Sequence, residues 1–303
     1  MTDLYRSCVL CPFKCHADRI SGKLGRCHST DKMRVARIAP HYWEEPCLSG
    51  QGLENLVKGS GTVFFVGCSL GCVFCQNKKI SDNNTELGII LTPEELADRF
   101  MQLEALGVHN INLVTASHYA PSVASAVELA RNNGISIPFV YNCSGYEKLE
   151  TLKMFDGLID VYMPDFKFYS SLLSAQYAHC ENYRDITIEA ICEMKRQTGK
   201  PSFDENGFMQ GGTLVRHLVL PGSDADSRKI LSLLHERFDA DGIVLSVMSQ
   251  YTPSPTIPFV ELTEKLSPAA YLRVVLHAEK LGFKYLYTQS GESADESFIP
   301  EFR

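Results

Sequence analysis

The chain has 303 residues, 45% of them hydrophobic and 21% charged, which excludes a disordered chain and supplies apolar material for one large core or two modest ones. Its formal charge of −7, from 29 Lys+Arg against 36 Asp+Glu, comes with no dense basic stretch, so no nucleic-acid partner held through its phosphates is expected. The start "MTDLYRSCVLC" lacks the basic flank and apolar core of a signal peptide, and no run reaches the roughly 18 apolar residues of a membrane span. A cytoplasmic protein with no membrane partner is expected, and its 11 cysteines then point to metal or redox chemistry rather than to disulfides.

In chain order the first feature is "CVLCPFKCHADRISGKLGRC", where Cys8, Cys11, Cys15 and Cys27 offer four thiols, enough to close a metal shell. Structural zinc and an iron–sulfur cluster that relays electrons inward both suit them. His16 and His28 stand beside thiols and could replace one, and Pro12 after Cys11 is a feature shared with ferredoxin loops. Residues 1–60 show no strand–helix alternation and read as a small Cys-rich N-terminal segment that needs a metal to stay folded, ahead of a main domain over 61–303.

From residue 62 onward, β-rich runs alternate with helical patterns: "TVFFVG" (62–67), "NINLVT" (110–115), "IPFVYN" (137–142), "LIDVYMPDF" (158–166), "TLVRHLVLPG" (213–222) and "IVLSVMS" (243–249), with a possible seventh in "KYLYTQ" (284–289). After the first of these, "TPEELADRFMQLEALG" has Thr92 to cap, Pro93 at the first helical position, Glu94 and Glu95 in the first turn, apolar residues at helical spacing, and Gly107 to stop it. Such βα repeats form a parallel sheet, either curled into a complete or partial α/β barrel or laid out as an open doubly wound sheet. Both place functional groups in the loops after the strand carboxyl ends. Cys47, Cys143, Cys180 and Cys192 read as small buried apolar residues.

The loop after the first strand, "GCSLGCVFCQN", holds Cys68, Cys72 and Cys75 at CxxxCxxC spacing. Three thiolates leave a structural zinc one ligand short, so the loop either borrows a fourth or leaves a metal position open; in a cubane iron–sulfur cluster it leaves one iron free for a substrate or cosubstrate. With Phe74 before the third cysteine, the spacing resembles the signature of the radical S-adenosylmethionine (radical SAM) superfamily. "SGTVFFVGCSLGCVFCQN" resembles in particular its pyruvate formate-lyase activating-enzyme-like, PflX-type branch, and the resemblance runs from Cys8 to the end of the chain. It implies an α/β fold, a partial (β/α)6 TIM-like barrel of the radical SAM type with the Cys-rich extension in front. It also implies a 4Fe–4S cluster on Cys68, Cys72 and Cys75, and SAM bound through its amino and carboxylate groups to the fourth iron.

The same resemblance singles out the strand ends. Many members hold the SAM amino group with a Gly-Gly-Glu stretch after the second strand; this chain has none, and Asn112, Thr115 and His118 stand there instead. "YMPDFKF" resembles an Asp-x-Lys element that helps bind SAM, which makes Asp165 and Lys167 candidates, one residue apart on the same face of an extended segment. "RHLVLPG" resembles an Arg-x-x-x-x-Pro-Gly run whose arginine contacts SAM, and the planar fork of Arg216 suits a carboxylate. Met248, Gln250 and Tyr251 could flank the adenosyl group or the substrate. The implied activity is reductive cleavage of SAM to a 5′-deoxyadenosyl radical that abstracts hydrogen, with flavodoxin or ferredoxin as reductant and a glycyl radical enzyme as the first substrate to consider. A small molecule or peptide substrate is the alternative among enzymes, and a metal- or redox-sensing binding protein the alternative outside them.

Overall fold

The computed structural model describes residues 3–51, 58–82, 87–254 and 256–289. Its strands are β1 (Arg34–His41), β2 (Ser60–Phe65), β3 (Ile89–Ile90), β4 (Ile111–Val114), β5 (Phe139–Cys143), β6 (Val161–Pro164), β7 (Ser202–Phe203), β8 (Met209–Leu218), β9 (Val244–Met248) and β10 (Leu286–Thr288). All seven expected runs are strands. They pair in parallel in the order β2-β4-β5-β6-β8-β9-β10, and the two ends of the described sheet do not pair with each other, so the barrel is partial.

The helices between strands form for local reasons. Thr92 accepts a hydrogen bond from the Glu95 amide at 3.2 Å and its own amide donates to the Glu95 carboxylate at 2.8 Å, a reciprocal cap for the helix Pro93–Ala105. The strands β2, β4, β5, β6 and β9 are buried at every position, which explains their near-continuous apolar character. Phe139 and Tyr141 of β5 face the helices Pro93–Ala105 and Ala120–Asn132, and Tyr162 of β6 donates to Gln197 on the helix Tyr183–Thr198. Val140, Val161, Met163, Leu214 and Val244, at alternate positions, meet Cys47 and Leu48 on the inner side. Val215, Leu245 and Val247 face the helices Asp224–Phe238 and Pro268–Leu281.

The sheet starts earlier in the chain than the boundary expected at residue 60. β1 pairs antiparallel with β2, from Val35 opposite Phe65 to His41 opposite Ser60, and β3 pairs antiparallel with β1. β1 escapes the βα pattern because among the described residues no crossover helix leads from it to β2, and of its eight residues only Val35 is fully buried. Among the described residues no helix is long and apolar enough to cross a membrane.

Candidate active site

β2 ends in the loop that carries the three signature cysteines. Phe74 is buried and meets Phe168, Tyr177 and Tyr251 edge-on at 6.0–6.5 Å, and Leu70 is fully buried; these two anchors leave Cys68, Cys72 and Cys75 half-buried. All three line one cavity of about 230 Å³ at the carboxyl ends of the parallel strands. Across it stand Thr115 after β4, Asn142 and Cys143 from β5, Asp165 and Lys167 after β6, Arg216 and Leu218 from β8, and Met248 and Gln250 at the end of β9.

The polar wall is a single charged network. Lys167 Nζ donates to Asp165 Oδ2 at 2.5 Å, and Arg216 Nε donates to Asp165 Oδ1 at 2.9 Å. The other two guanidinium nitrogens reach Glu44 Oε2 at 3.3 Å and Asn142 Oδ1 at 2.7 Å. Three of the five N–H donors of Arg216 are thereby engaged, and two remain for a ligand carboxylate or hydroxyl. Burial works to raise the Asp165 carboxyl, but Arg216 and Lys167 outweigh it and hold the group below the usual range. Burial likewise works to lower Lys167, which Asp165 and Cys72 overcome. Glu44 is pushed up by burial, with Arg216 opposing.

The thiols show the same competition. Burial, with Cys75 adding to it, pushes Cys68 up to about 11, and burial raises Cys72 further despite Lys167. Buried thiols of this kind lose their protons to the positive charge of a metal, so three soft donors around one cavity suit iron–sulfur ligation. Among the described residues no three His, Cys, Asp or Glu side chains close on a point that a single metal ion would occupy; thiolates that each hold a different iron of a cubane have no common point to close on.

The candidate residues divide. Thr115, Asp165, Lys167 and Arg216 reach the cavity. Thr115 does so with φ +63°, a left-handed conformation uncommon for a β-branched residue, held by its amide donating to the Asn142 carbonyl at 2.9 Å. Asn112 is buried one layer below and donates from Nδ2 to Glu44 Oε1 at 3.1 Å. His118 turns away toward the N-terminal segment, where its Nε2 donates to the Val66 carbonyl at 2.8 Å and burial, with Arg19 nearby, lowers it to about 3. Met248 and Gln250 line the cavity; Tyr251 instead packs on Phe74 and donates to the Leu262 carbonyl at 2.5 Å. Cys47, Cys143 and Cys180 are buried as expected, with Cys143 also at the cavity wall, while Cys192 is only partly covered. Cys8, Cys11 and Cys27 are buried and Cys15 is exposed.

Two residues of the network had not been singled out. Asn142 had a readable signal, a polar side chain at a strand carboxyl end. Glu44 had none, since an acidic pair such as Glu44–Glu45 reads as a solvated surface until Arg216 and Asn112 converge on it.

A model described as the Radical SAM superfamily matches residues 62–234, more than half of the chain. An uncharacterized protein of Methanocaldococcus jannaschii is 26% identical over 292 residues, which cover 94% of this chain and 78% of that protein. Among solved structures, Streptococcus suis SuiB is similar with a TM-score of 0.51 and 13% identity, over 74% of this chain and 47% of that one. A domain of pyruvate-formate lyase-activating enzyme from Bacteroides vulgatus gives 0.41 and 9%, over 57% and 92%.

Proposed function

Because the chain belongs to the Radical SAM superfamily, whose members use an iron–sulfur cluster, SAM and an external reductant, we propose that it is a member of the pyruvate formate-lyase activating-enzyme-like, PflX-type branch and activates a glycyl radical enzyme. The supporting observation is that Cys68, Cys72 and Cys75 line the same cavity as Asp165, Lys167 and Arg216. When bound, the cluster supplies the electron that cleaves SAM to a 5′-deoxyadenosyl radical able to abstract hydrogen.

The chain's own residues bind and orient. The two free N–H donors of Arg216 take the SAM carboxylate or a ribose hydroxyl, while Glu44 and Asp165 keep the guanidinium from turning. Lys167, held on Asp165, places its positive charge beside Cys72 and stabilises the thiolate. Thr115 and Gln250 offer neutral hydrogen-bonding groups to the adenosyl half. Half-exposed Tyr42 and Trp43, the latter on the cavity rim, give a polypeptide substrate apolar surface to settle on. The reading includes flavodoxin or ferredoxin as reductant, a cytoplasmic location, and Cys8, Cys11, Cys15 and Cys27 as ligands of a second metal, zinc or an iron–sulfur cluster.

Anaerobic reconstitution tests it: about four irons bound to the signature loop, and 5′-deoxyadenosine formed when dithionite and SAM are added. A protein that takes up only zinc, or whose cluster never consumes SAM, ends the enzyme reading and leaves a metal- or redox-sensing binding protein. A glycyl EPR doublet after incubation with candidate glycyl radical enzymes supports the activase; turnover on a small molecule or peptide without that doublet replaces it.

A further inference from the structure

The most deeply buried cation in the N-terminal segment is Arg19, whose side chain is wholly shielded from solvent. A guanidinium stays charged in a protein, and an unpaired buried charge costs several kcal/mol. Among the described residues Arg19 makes no ion pair with a carboxylate. Its Nε donates to the Ser29 carbonyl at 3.1 Å, its Nη2 to the Thr30 carbonyl at 2.6 Å and its Nη1 to the His118 carbonyl at 2.6 Å. The remaining partner is Cys8 Sγ, 3.6 Å from Nη1. The rings of Tyr5 and Tyr119 lie 4.7 and 5.5 Å from the guanidinium carbon, a further sign of a site built to hold positive charge.

The other cysteines gather around the same group. A Cβ placed on Gly25 would meet Cys27 Sγ at 3.4 Å, Cys15 Sγ at 3.5 Å and Arg19 Cδ at 3.5 Å, so two thiols and the arginine stem flank one backbone position. The chain between Cys8 and Cys15 is folded back on itself, the Lys14 amide donating to the Cys11 carbonyl at 3.1 Å and the His16 amide to the Cys8 carbonyl at 3.0 Å, with Cys11 buried inside the turn. Lys14, His16 and His28, which adjoin Cys15 and Cys27, have φ of +45°, +54° and +57°; such conformations cost about 1–2 kcal/mol each for residues other than glycine and persist where the surroundings impose them. The group also abuts the signature loop. A Cβ on Gly67, next to Cys68, would lie 2.3 Å from Ser29 Oγ and 2.5 Å from the Cys27 carbonyl, and His118 joins Arg19 to the Val66 carbonyl.

We propose that Arg19 is the buried counter-cation of an anionic metal centre held by the thiolates of Cys8, Cys11, Cys15 and Cys27. This rests on the reading of those four cysteines as metal ligands. The shared chemistry is a tetrathiolate: four thiolates on Zn²⁺, or on a cubane cluster in its 2+ state, carry a net charge of −2; because the four sulfurs do not close on one point, the cubane is the better fit and a zinc ion would need them to draw together. Arg19 offsets half of that without touching solvent, and its hydrogen bonds to Thr30 and His118 tie the centre to the segment that supports the signature loop.

The test uses the full-length chain with Cys68, Cys72 and Cys75 all replaced by Ala, so that any metal retained belongs to the N-terminal thiols. Anaerobic purification followed by zinc, iron and sulfide determination is expected to find about one zinc or about four irons with sulfide; either supports the centre and identifies the metal. A metal-free protein overturns it. In the same background Arg19→Met is expected to release the metal to a chelator at least about tenfold faster, as for a buried pair that has lost one partner, while Arg19→Lys stays close to the parent. Release from Arg19→Met at the parent rate, with the metal still bound, overturns the counter-cation role and leaves the metal site standing. Should Arg19→Met fail to fold by circular dichroism, Arg19→Lys decides: a lysine variant that folds but binds no metal shows that charge is not what Arg19 supplies.

Discussion

Gly145 sits two residues beyond β5 with φ +78°, and a Cβ built on it would lie 2.2 Å from the carbonyl oxygen of Asp165. An ordinary contact between such atoms is about 3.4 Å, so Gly145→Ala must drive the Asp165 backbone away by about 1 Å or move its own loop by as much. Asp165 fixes both Lys167 and Arg216, and a displacement of about 1 Å in a positioning group costs roughly 100-fold in rate. The alanine also pays about 1–2 kcal/mol for the left-handed backbone. Gly157 separates the two effects, since it has the same φ of +78° and nothing within 4 Å of its built Cβ. The assay is 5′-deoxyadenosine formation by the reconstituted, dithionite-reduced protein, alongside iron content and a denaturation midpoint. Gly145→Ala is expected to keep its iron and lose about two orders of magnitude of SAM cleavage, while Gly157→Ala loses stability alone. Wild-type turnover by Gly145→Ala, or an equal loss in both variants, would refute the role given to the Asp165 backbone.

Cys72→Ala should abolish iron binding at the signature loop and SAM cleavage, whereas Cys47→Ala, in the inner apolar cluster, should cost about 1–2 kcal/mol of stability and no activity; equal activity losses would remove Cys47 from its role as a packing residue. Asp165→Asn takes the anionic partner from Lys167 and one of two carboxylates from Arg216, for an expected loss of about 3 kcal/mol at pH 7. A double-mutant cycle with Lys167→Ala should show coupling above about 0.5 kcal/mol in urea midpoints, and simple additivity would dissolve the network. His118 titrates near pH 3 when folded against 6.5 when free, so the unfolded chain takes up its proton first and the stability contributed at neutral pH declines as pH falls below 6.5. His118→Gln, which retains a donor for the Val66 carbonyl, should flatten the stability curve by about 1 kcal/mol between pH 6.5 and 5.5; parallel curves for the two proteins would contradict this.

The parallel strands were legible because burial on both faces writes itself as an uninterrupted apolar run, and the helix after β3 because Thr92, Pro93 and Glu95 are a local signal. The thiol spacing was legible for the same reason, the three donors lying within eight residues. β1 was harder: only one of its eight residues is fully buried, and its partner β2 is reached through residues 42–59 with no crossover helix in the described part. Glu44 was invisible because its partners, Asn112 and Arg216, lie 68 and 172 positions away, and no window along the chain holds all three. Arg216 itself was found by its neighbours in sequence, whereas its contact with Glu44 needed the sheet.

β1 and the turn after it have a bearing on modularity. The match to the superfamily as a whole begins at residue 62 and ends at 234, yet Glu44 enters from one side of it and Met248 and Gln250 from the other. A fragment cut at those limits, or a chimera that exchanges only that interval with a distant relative, would keep the three-cysteine loop while stripping the mouth of the pocket of its outer acid and its far wall. Here the limits of the shared superfamily core cut through the chamber, and a workable transplant has to carry both flanks with it.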